Sequence, residues 1–209
     1  YVRYSDALET GREMVSVLRE KAPIIVALTH LNLEDDMVLA TEVEGINIII
    51  GGHEHENMYF RRGASRTVIA KADANARTVW VHRFVHNNDT QETSIDSELV
   101  FLDQNVNPDP KLEAIVQTWT DMAFTAFREA GFEPTRVVTE IPIPLNGLEF
   151  AVRNESTELT QIIADAYFTM AEGADISLYN GGSIRIDDII PPGPFTEYDA
   201  IRINPFGGH

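Results

Sequence analysis

The chain is 209 residues long, 44% hydrophobic and 23% charged, and its 33 acidic against 16 basic residues leave a formal charge of −17. That composition suits one large globular domain or two small ones, but the charge speaks against sequence-independent binding to a nucleic acid polymer or an anionic membrane, where cationic side chains must meet phosphate. No cysteine occurs, which excludes disulfides, thiolate zinc sites, iron–sulfur clusters and thiol nucleophiles. No apolar run approaches the ~20 residues of a membrane span.

From Asp6 to about Lys21 the spacing predicts an amphipathic helix, with Leu8, Gly11, Met14, Val15 and Leu18 on one face and Asp6 placed to cap it. Ile24 to Leu28 is an unbroken apolar run, the pattern of a strand buried on both faces in a parallel sheet. Glu34 to Glu44 reads as a second helix stopped at Gly45, and Ile46 to Ile50 as a second buried strand. Helix and strand alternating in this way predict an α/β layer with parallel strands. Thr78 to Val85 and Ser94 to Leu102 each alternate apolar with polar residues around Asn87-Asn88-Asp89, which predicts an antiparallel hairpin.

Pro108 and Pro110 open a long helical stretch, Lys111 to Ala130, closed by Gly131. Beyond Pro134, Leu159, Ile162, Ile163, Ala166, Tyr167 and Met170 form a helical stripe capped at Asn154 or Ser156 and stopped at Gly173. A short strand is expected at Ile176 to Tyr179, leading into Asn180-Gly181-Gly182. The expected domains are 1–107, a linker helix within 108–133, and 134–209.

His30 follows the first predicted strand, and Gly51-Gly52-His53-Glu54-His55 follows the second. Open parallel sheets collect functional groups outside the carboxyl ends of their strands, so neighbouring strands would bring His30, His53 and His55 to one edge. Imidazoles there suit Zn, Mn, Fe or Ni, although a single histidine at a strand end is more often a hydrogen-bonded loop residue. His53-Glu54-His55-Glu56-Asn57 is not the H-E-x-x-H zinc motif, because Asn57 stands where its second His belongs. Asp103 to Asn107 begins like a calcium loop, but Pro108 takes the place of its glycine.

Ile24 to Leu31 (IIVALTHL) with Gly45 to His55 (GINIIIGGHEH) resembles the last metal-binding segments of a calcineurin-like metallophosphoesterase domain. Asn180 to Arg185 (NGGSIR) and Asn204 to Gly208 (NPFGG) resemble signatures of the 5′-nucleotidase C-terminal domain. In this order the four segments resemble the two-domain 5′-nucleotidases, UDP-sugar hydrolases and 2′,3′-cyclic-nucleotide phosphodiesterases. The resemblance implies an α/β fold, α+β overall: the C-terminal part of a four-layer α/β/β/α sandwich, a linker helix that serves as a hinge, and the first part of an α/β substrate-specificity domain. It implies two divalent metal ions, Zn, Mn or similar, with His30 and His53 on one and His55 on the other. It further implies that Arg153, Asn180, Gly182 and Arg185 contact the phosphate side of a nucleotide and that Phe206 stacks on the base. Arginine suits the first task because its planar fork grips two phosphate oxygens.

A dinuclear site also needs carboxylates, which the family carries in D-x-H, G-D and G-N-H-[DE] segments together with its catalytic His. No Asp-x-His, Gly-Asp or Asn-His pair occurs here. The expectation is therefore an internal part of a longer phosphoesterase, with no catalytic residue in this chain and no enzymatic turnover by it alone. The alternatives left open are a non-catalytic, metal-binding remnant of the same scaffold, or a relative acting on nucleotide sugars or a thiosulfate ester. Glu149, where some relatives have Arg, and Gly208, where the family has Asn, leave substrate preference open. Periplasmic or extracellular placement is expected from the resemblance.

Overall fold

Asp6 begins the first helix as its side chain predicts, its carboxylate accepting the backbone N–H groups of Leu8 and Glu9 at 3.0 Å. The computed structural model describes residues 3–206; Gly207 and Gly208 of the last motif lie outside the described residues. The fold is mixed α/β, and the chain divides into two units, Tyr1–Asn107 and Pro108–His209.

In the first unit, α1 (Ala7–Leu18) and α2 (Leu33–Glu42) accompany strands β1 (Val26–Thr29), β2 (Ile48–Gly51), β3 (Met58–Arg62) and β4 (Thr67–Lys71). These strands form one sheet in the order β1-β2-β4-β3, parallel except for β3. Strands β5 (Thr78–His86) and β6 (Thr93–Phe101) form the predicted antiparallel hairpin. Alternation of side chains divides the sheet between two cores. Ile49 and Ile69 face the helices and pack with Val15, Leu39 and Val43. Ile48, Val68 and Ala70 face the other way, against Trp80, Phe84 and Ile95 of the hairpin.

β1 differs from its predicted double burial. It lies at the end of the sheet, in register with β2 through Val26↔Ile48 and Leu28↔Ile50. Val26 and Leu28 are therefore on the hairpin face of the sheet, yet they are 45% and 85% exposed, because the hairpin packs over β2, β4 and Tyr59 of β3, to the other side of β2. β4 is the fully buried strand instead.

In the second unit, α3 (Pro110–Glu129) is capped by Asp109 and ends at Gly131, whose φ of +93° is left-handed. Phe124 and Phe127 of α3 lie against Tyr198 at 5.3 and 6.3 Å between ring centroids. Tyr198 belongs to α6 (Glu197–Ile203), beyond α4 (Glu149–Asn154) and α5 (Glu158–Met170). Two small antiparallel pairings complete the unit's scaffold: β7 (Val137–Ile141) pairs with β10 (Gly193–Thr196), and β8 (Leu145–Asn146) with β9 (Ile189–Ile190). The core is Ile141, Leu145, Val152, Leu159, Ile184, Ile186, Ile190 and Ile203.

Three local expectations change here. α5 is capped by Thr157 in a reciprocal box with Thr160, not by Asn154 or Ser156. Its stripe is also only partly buried: Leu159 is in the core, while Ile162 is 50% and Met170 86% exposed. The segment Ile176 to Tyr179 is not a strand; no partner strand lies beside it among the described residues, and an unpaired run has no ladder to hold it. Tyr179 instead stacks on Tyr167 of α5 at 5.4 Å.

Candidate functional site

The register Thr29↔Gly51↔Lys71 brings three parallel strands to a level end, and the histidine-bearing segments leave from it. His30 follows β1 directly, and its ring meets that of His53 edge-to-face with centroids 5.5 Å apart. Gly52 makes this approach feasible, since a Cβ there would stand 3.0 Å from His30 Nδ1. His53 and His55 both take left-handed backbone, at φ 88° and 63°, a conformation that is uncommon and costly for residues with a side chain. The loop is held in that shape from both ends. The His55 carbonyl accepts the Ala74 N–H at 3.1 Å. Asn57 is tied to Asp73 through its backbone and side-chain nitrogens at 3.1 and 2.9 Å. Burial pushes the Asp73 carboxyl up, but hydrogen bonds from Thr78 and Asn57 outweigh it and hold the group below its ordinary range.

Behind the loop lies a charged cluster that the motif reading missed. Lys71, at the end of β4, is 1% exposed. Its Nζ lies 2.9 Å from Asp36 of α2, which is wholly buried, and 2.5 Å from Glu54 between the two loop histidines. It also donates to the Leu31 carbonyl at 2.8 Å. One buried ammonium thus joins helix, strand end and loop. Burial raises the Glu54 carboxyl, but the hydrogen bond from Lys71, with backbone donors and its charge, brings the group below the ordinary glutamate range. A signal was present in the sequence: Asp36 falls three residues from Leu33 and three and four from Leu39 and Ala40, on the stripe that should be apolar. A carboxylate there requires a buried partner.

Neutral imidazoles are sound ligands for a divalent transition metal, and His30 and His53 stand together. Among the described residues of this unit, no three His, Asp or Glu side chains bring ligand atoms within 4.8 Å of one another. The nearby carboxylates of Asp36 and Glu54 are committed to Lys71. The donor set therefore fits the imidazole side of a metal centre, while bridging carboxylates would have to come from elsewhere.

In the second unit Arg153 lies in the short helix α4 and pairs with Glu149 one turn earlier. Asn180 caps a 3-10 turn at Gly181–Ser183, its side chain accepting the Gly182 N–H at 3.1 Å. A Cβ on Gly181 would stand 2.3 Å from the Val152 carbonyl of α4, and one on Gly182 3.8 Å from Arg153 Nη2. Arg153, Asn180 and Gly182 are thus brought together by glycines that let the turn lie on α4. Arg185 follows the turn, exposed between buried Ile184 and Ile186, and its N–H donates to the Ile203 carbonyl at 2.9 Å. Phe206 is 76% exposed.

Residues 137–209 match the family described as 5′-nucleotidase, C-terminal domain. The chain is 28% identical to the trifunctional nucleotide phosphoesterase protein YfkN of Bacillus subtilis, over 98% of this chain and 14% of that protein. It is 22% identical to a 5′-nucleotidase of Diplobatis ommata, over 87% of this chain and 35% of that protein. The crystal structure of a 5′-nucleotidase precursor from Thermus thermophilus aligns with 97% of this chain and 42% of its own, at a TM-score of 0.75 and 23% identity; that likeness speaks for a shared mixed α/β fold. The chain spans less than half the length of each of these relatives.

Proposed function

We propose, from the premise that residues 137–209 match the 5′-nucleotidase C-terminal domain family, that the whole is part of a dinuclear metal-dependent phosphoesterase acting on nucleoside 5′-monophosphates or 2′,3′-cyclic nucleotides. The observation that carries the reading is the pairing of two features in one chain: histidine-bearing loops at the level end of a parallel sheet, followed by a segment that matches that family. In this reading His30, His53 and His55 hold the metals, which when bound polarise the phosphate and acidify a water. Arg153, Asn180, Gly182 and Arg185 hold the phosphate side of the nucleotide, and Phe206 offers a ring to the base. Lys71 keeps Glu54 off the metals and fixes the loop. The preceding strands supply the bridging carboxylates and the catalytic His, and the enzyme works in the periplasm or outside the cell.

The test is to extend the reading frame upstream of Tyr1, express the longer protein, and assay phosphate release from AMP and 2′,3′-cyclic AMP with Mn or Zn. The expected result is metal-dependent release by the longer protein, abolished by His53→Ala, and none by the 209 residues alone. An upstream sequence without Asp-x-His and Asn-His segments, or metal-dependent turnover by the 209 residues themselves, overturns the reading.

A further inference from the structure

The opposite end of the same sheet carries a second feature, and it is independent of the phosphoesterase reading. β1, β2 and β4 start at Val26, Ile48 and Thr67, and near these starts lies a cavity of about 620 Å³. Arg19, Asn47, Arg61, Ser65, Arg66 and Thr93 are among its lining residues, and no Asp or Glu is. Acidic residues outnumber basic ones 33 to 16 in this chain, so a wall with three arginines and no carboxylate runs against the composition.

Among the described residues none of the three guanidiniums has a counter-charge. Arg19 lies flat against Gly45, where a Cβ would stand 1.9 Å from its Nη2 and where φ is +106°. Arg61 donates to the Tyr59 hydroxyl at 3.0 Å and sits 5.8 Å from that ring's centroid. Arg66 closes the β3–β4 turn in left-handed backbone, its backbone N–H donating to the Gly63 carbonyl at 3.2 Å. Arg12, Arg83, Arg128, Arg136, Arg153 and Arg202 all pair with a carboxylate. Among the described residues Arg19, Arg61 and Arg66 pair with none, as is also true of Arg3, Arg62 and Arg185 outside the cavity lining. The three arginines are exposed on one wall of the cavity, where a multiply charged oxyanion would satisfy their planar forks. Asn47, Ser65 and Thr93 add neutral polar groups to the wall, and the volume admits more than a single phosphate.

We propose that this cavity is a binding site for a small phosphoryl anion, of the phosphate, pyrophosphate or phosphomonoester class, distinct from the histidine end of the sheet. The test is calorimetric titration of the 209-residue chain in EDTA, which keeps metals off the histidines, with inorganic phosphate, pyrophosphate and AMP as separate probes. Saturable binding of at least one probe is expected, weakened about tenfold or more by Arg61→Gln/Arg66→Gln, and also by Arg19→Gln alone, as loss of charge-assisted forks requires. Arg12→Ala, at an arginine that pairs with Glu42 and does not line the cavity, should bind as the parent does. Preference for phosphate or pyrophosphate over AMP would mark the phosphoryl group as the whole ligand; preference for AMP would mark a larger phosphomonoester. The proposal is overturned if no probe gives saturable heat, or if binding survives both the double variant and Arg19→Gln within about twofold, a change too small for lost charged forks. Binding assigned to the cavity is that lost in Arg19→Gln or Arg61→Gln/Arg66→Gln and kept in Arg153→Gln/Arg185→Gln, so failure of this site and failure of the phosphoesterase reading are told apart.

Discussion

Lys71 is the residue on which the buried charges of the first unit converge, since its ammonium compensates Asp36 in the core and Glu54 in the histidine loop. Removing one partner of a buried pair leaves the other charged and unsolvated, at a typical cost of about 3–5 kcal/mol. Lys71→Met should therefore lower the stability of the chain by about that amount in urea unfolding, whereas Lys71→Met combined with Asp36→Leu should recover most of it. Equal losses in the single and double variants would refute the pairing. Gly51 belongs to the same cluster: a Cβ there would stand 3.0 Å from Lys71 Cε and 3.1 Å from Asp36 Oδ2, so Gly51→Ala should cost roughly 1–3 kcal/mol through overpacking. His53 raises a different residue-scale question. At φ 88° its backbone favours glycine, so His53→Gly should be more stable than His53→Ala by about 1–2 kcal/mol. Identical melting of the two variants would mean that the loop relaxes out of the left-handed region once the imidazole is gone.

At the scale of elements, the end of α3 shows how a helix terminus is fixed by charge. Arg128 grips the Glu133 carboxylate with Nε and Nη2, and that grip, helped by the Thr135 hydroxyl, draws the Glu133 carboxyl down to about 2. A carboxyl depressed on folding stabilises the folded state fully above its ordinary value near 4.5 and loses that contribution as pH falls toward about 2. Following the Glu133 carboxyl by NMR should show this midpoint rising toward 4.5 in Arg128→Ala and in high salt, because the pair is exposed and screened; a midpoint indifferent to both would sever the link to Arg128. The helices themselves were legible because their caps and stripes are local: Asp6 and Gly131 mark ends that the structure keeps. β4 was not legible. Its Thr67-Val68-Ile69-Ala70-Lys71 ends in polar residues, and it is wholly buried only because Thr67 donates to the Ile46 carbonyl and Lys71 finds two carboxylates. Those partners are distant in sequence. Ile176 to Tyr179 failed for the converse reason, having a strand's pattern without a partner strand among the described residues. Of the histidine loop, the placement at strand ends could be read from the runs before it, but not the clamp formed by Lys71, nor the left-handed backbone that turns His53 and His55.

At the scale of the whole molecule, the level strand ends and the chain's charge lead to one further expectation. β1 is an outer strand, and its Leu28 stands 85% exposed beside Val26 at 45%, on the face where Ile48, Ile50, Val68 and Ala70 are covered by the hairpin. An outer strand with open backbone groups and apolar side chains is a template for another strand. In the longer phosphoesterase proposed above, a preceding strand would pair with that edge and a wider layer would cover Leu28. Expressed as 209 residues, the chain should therefore associate with itself despite a charge of −17, since strand pairing acts at contact while the charges are screened beyond ~8–10 Å at physiological salt. Sedimentation at rising concentration should show this association, and Leu28→Lys should weaken it by placing a charge on the outer strand. The upstream-extended protein should sediment as a smaller species than the associated short chain, because its edge is already paired. If the 209 residues stay monomeric at every concentration, or if Leu28→Lys leaves their association unchanged, the open edge is not what draws the copies together. The pairing of β1 with a preceding strand would then lose its main structural support.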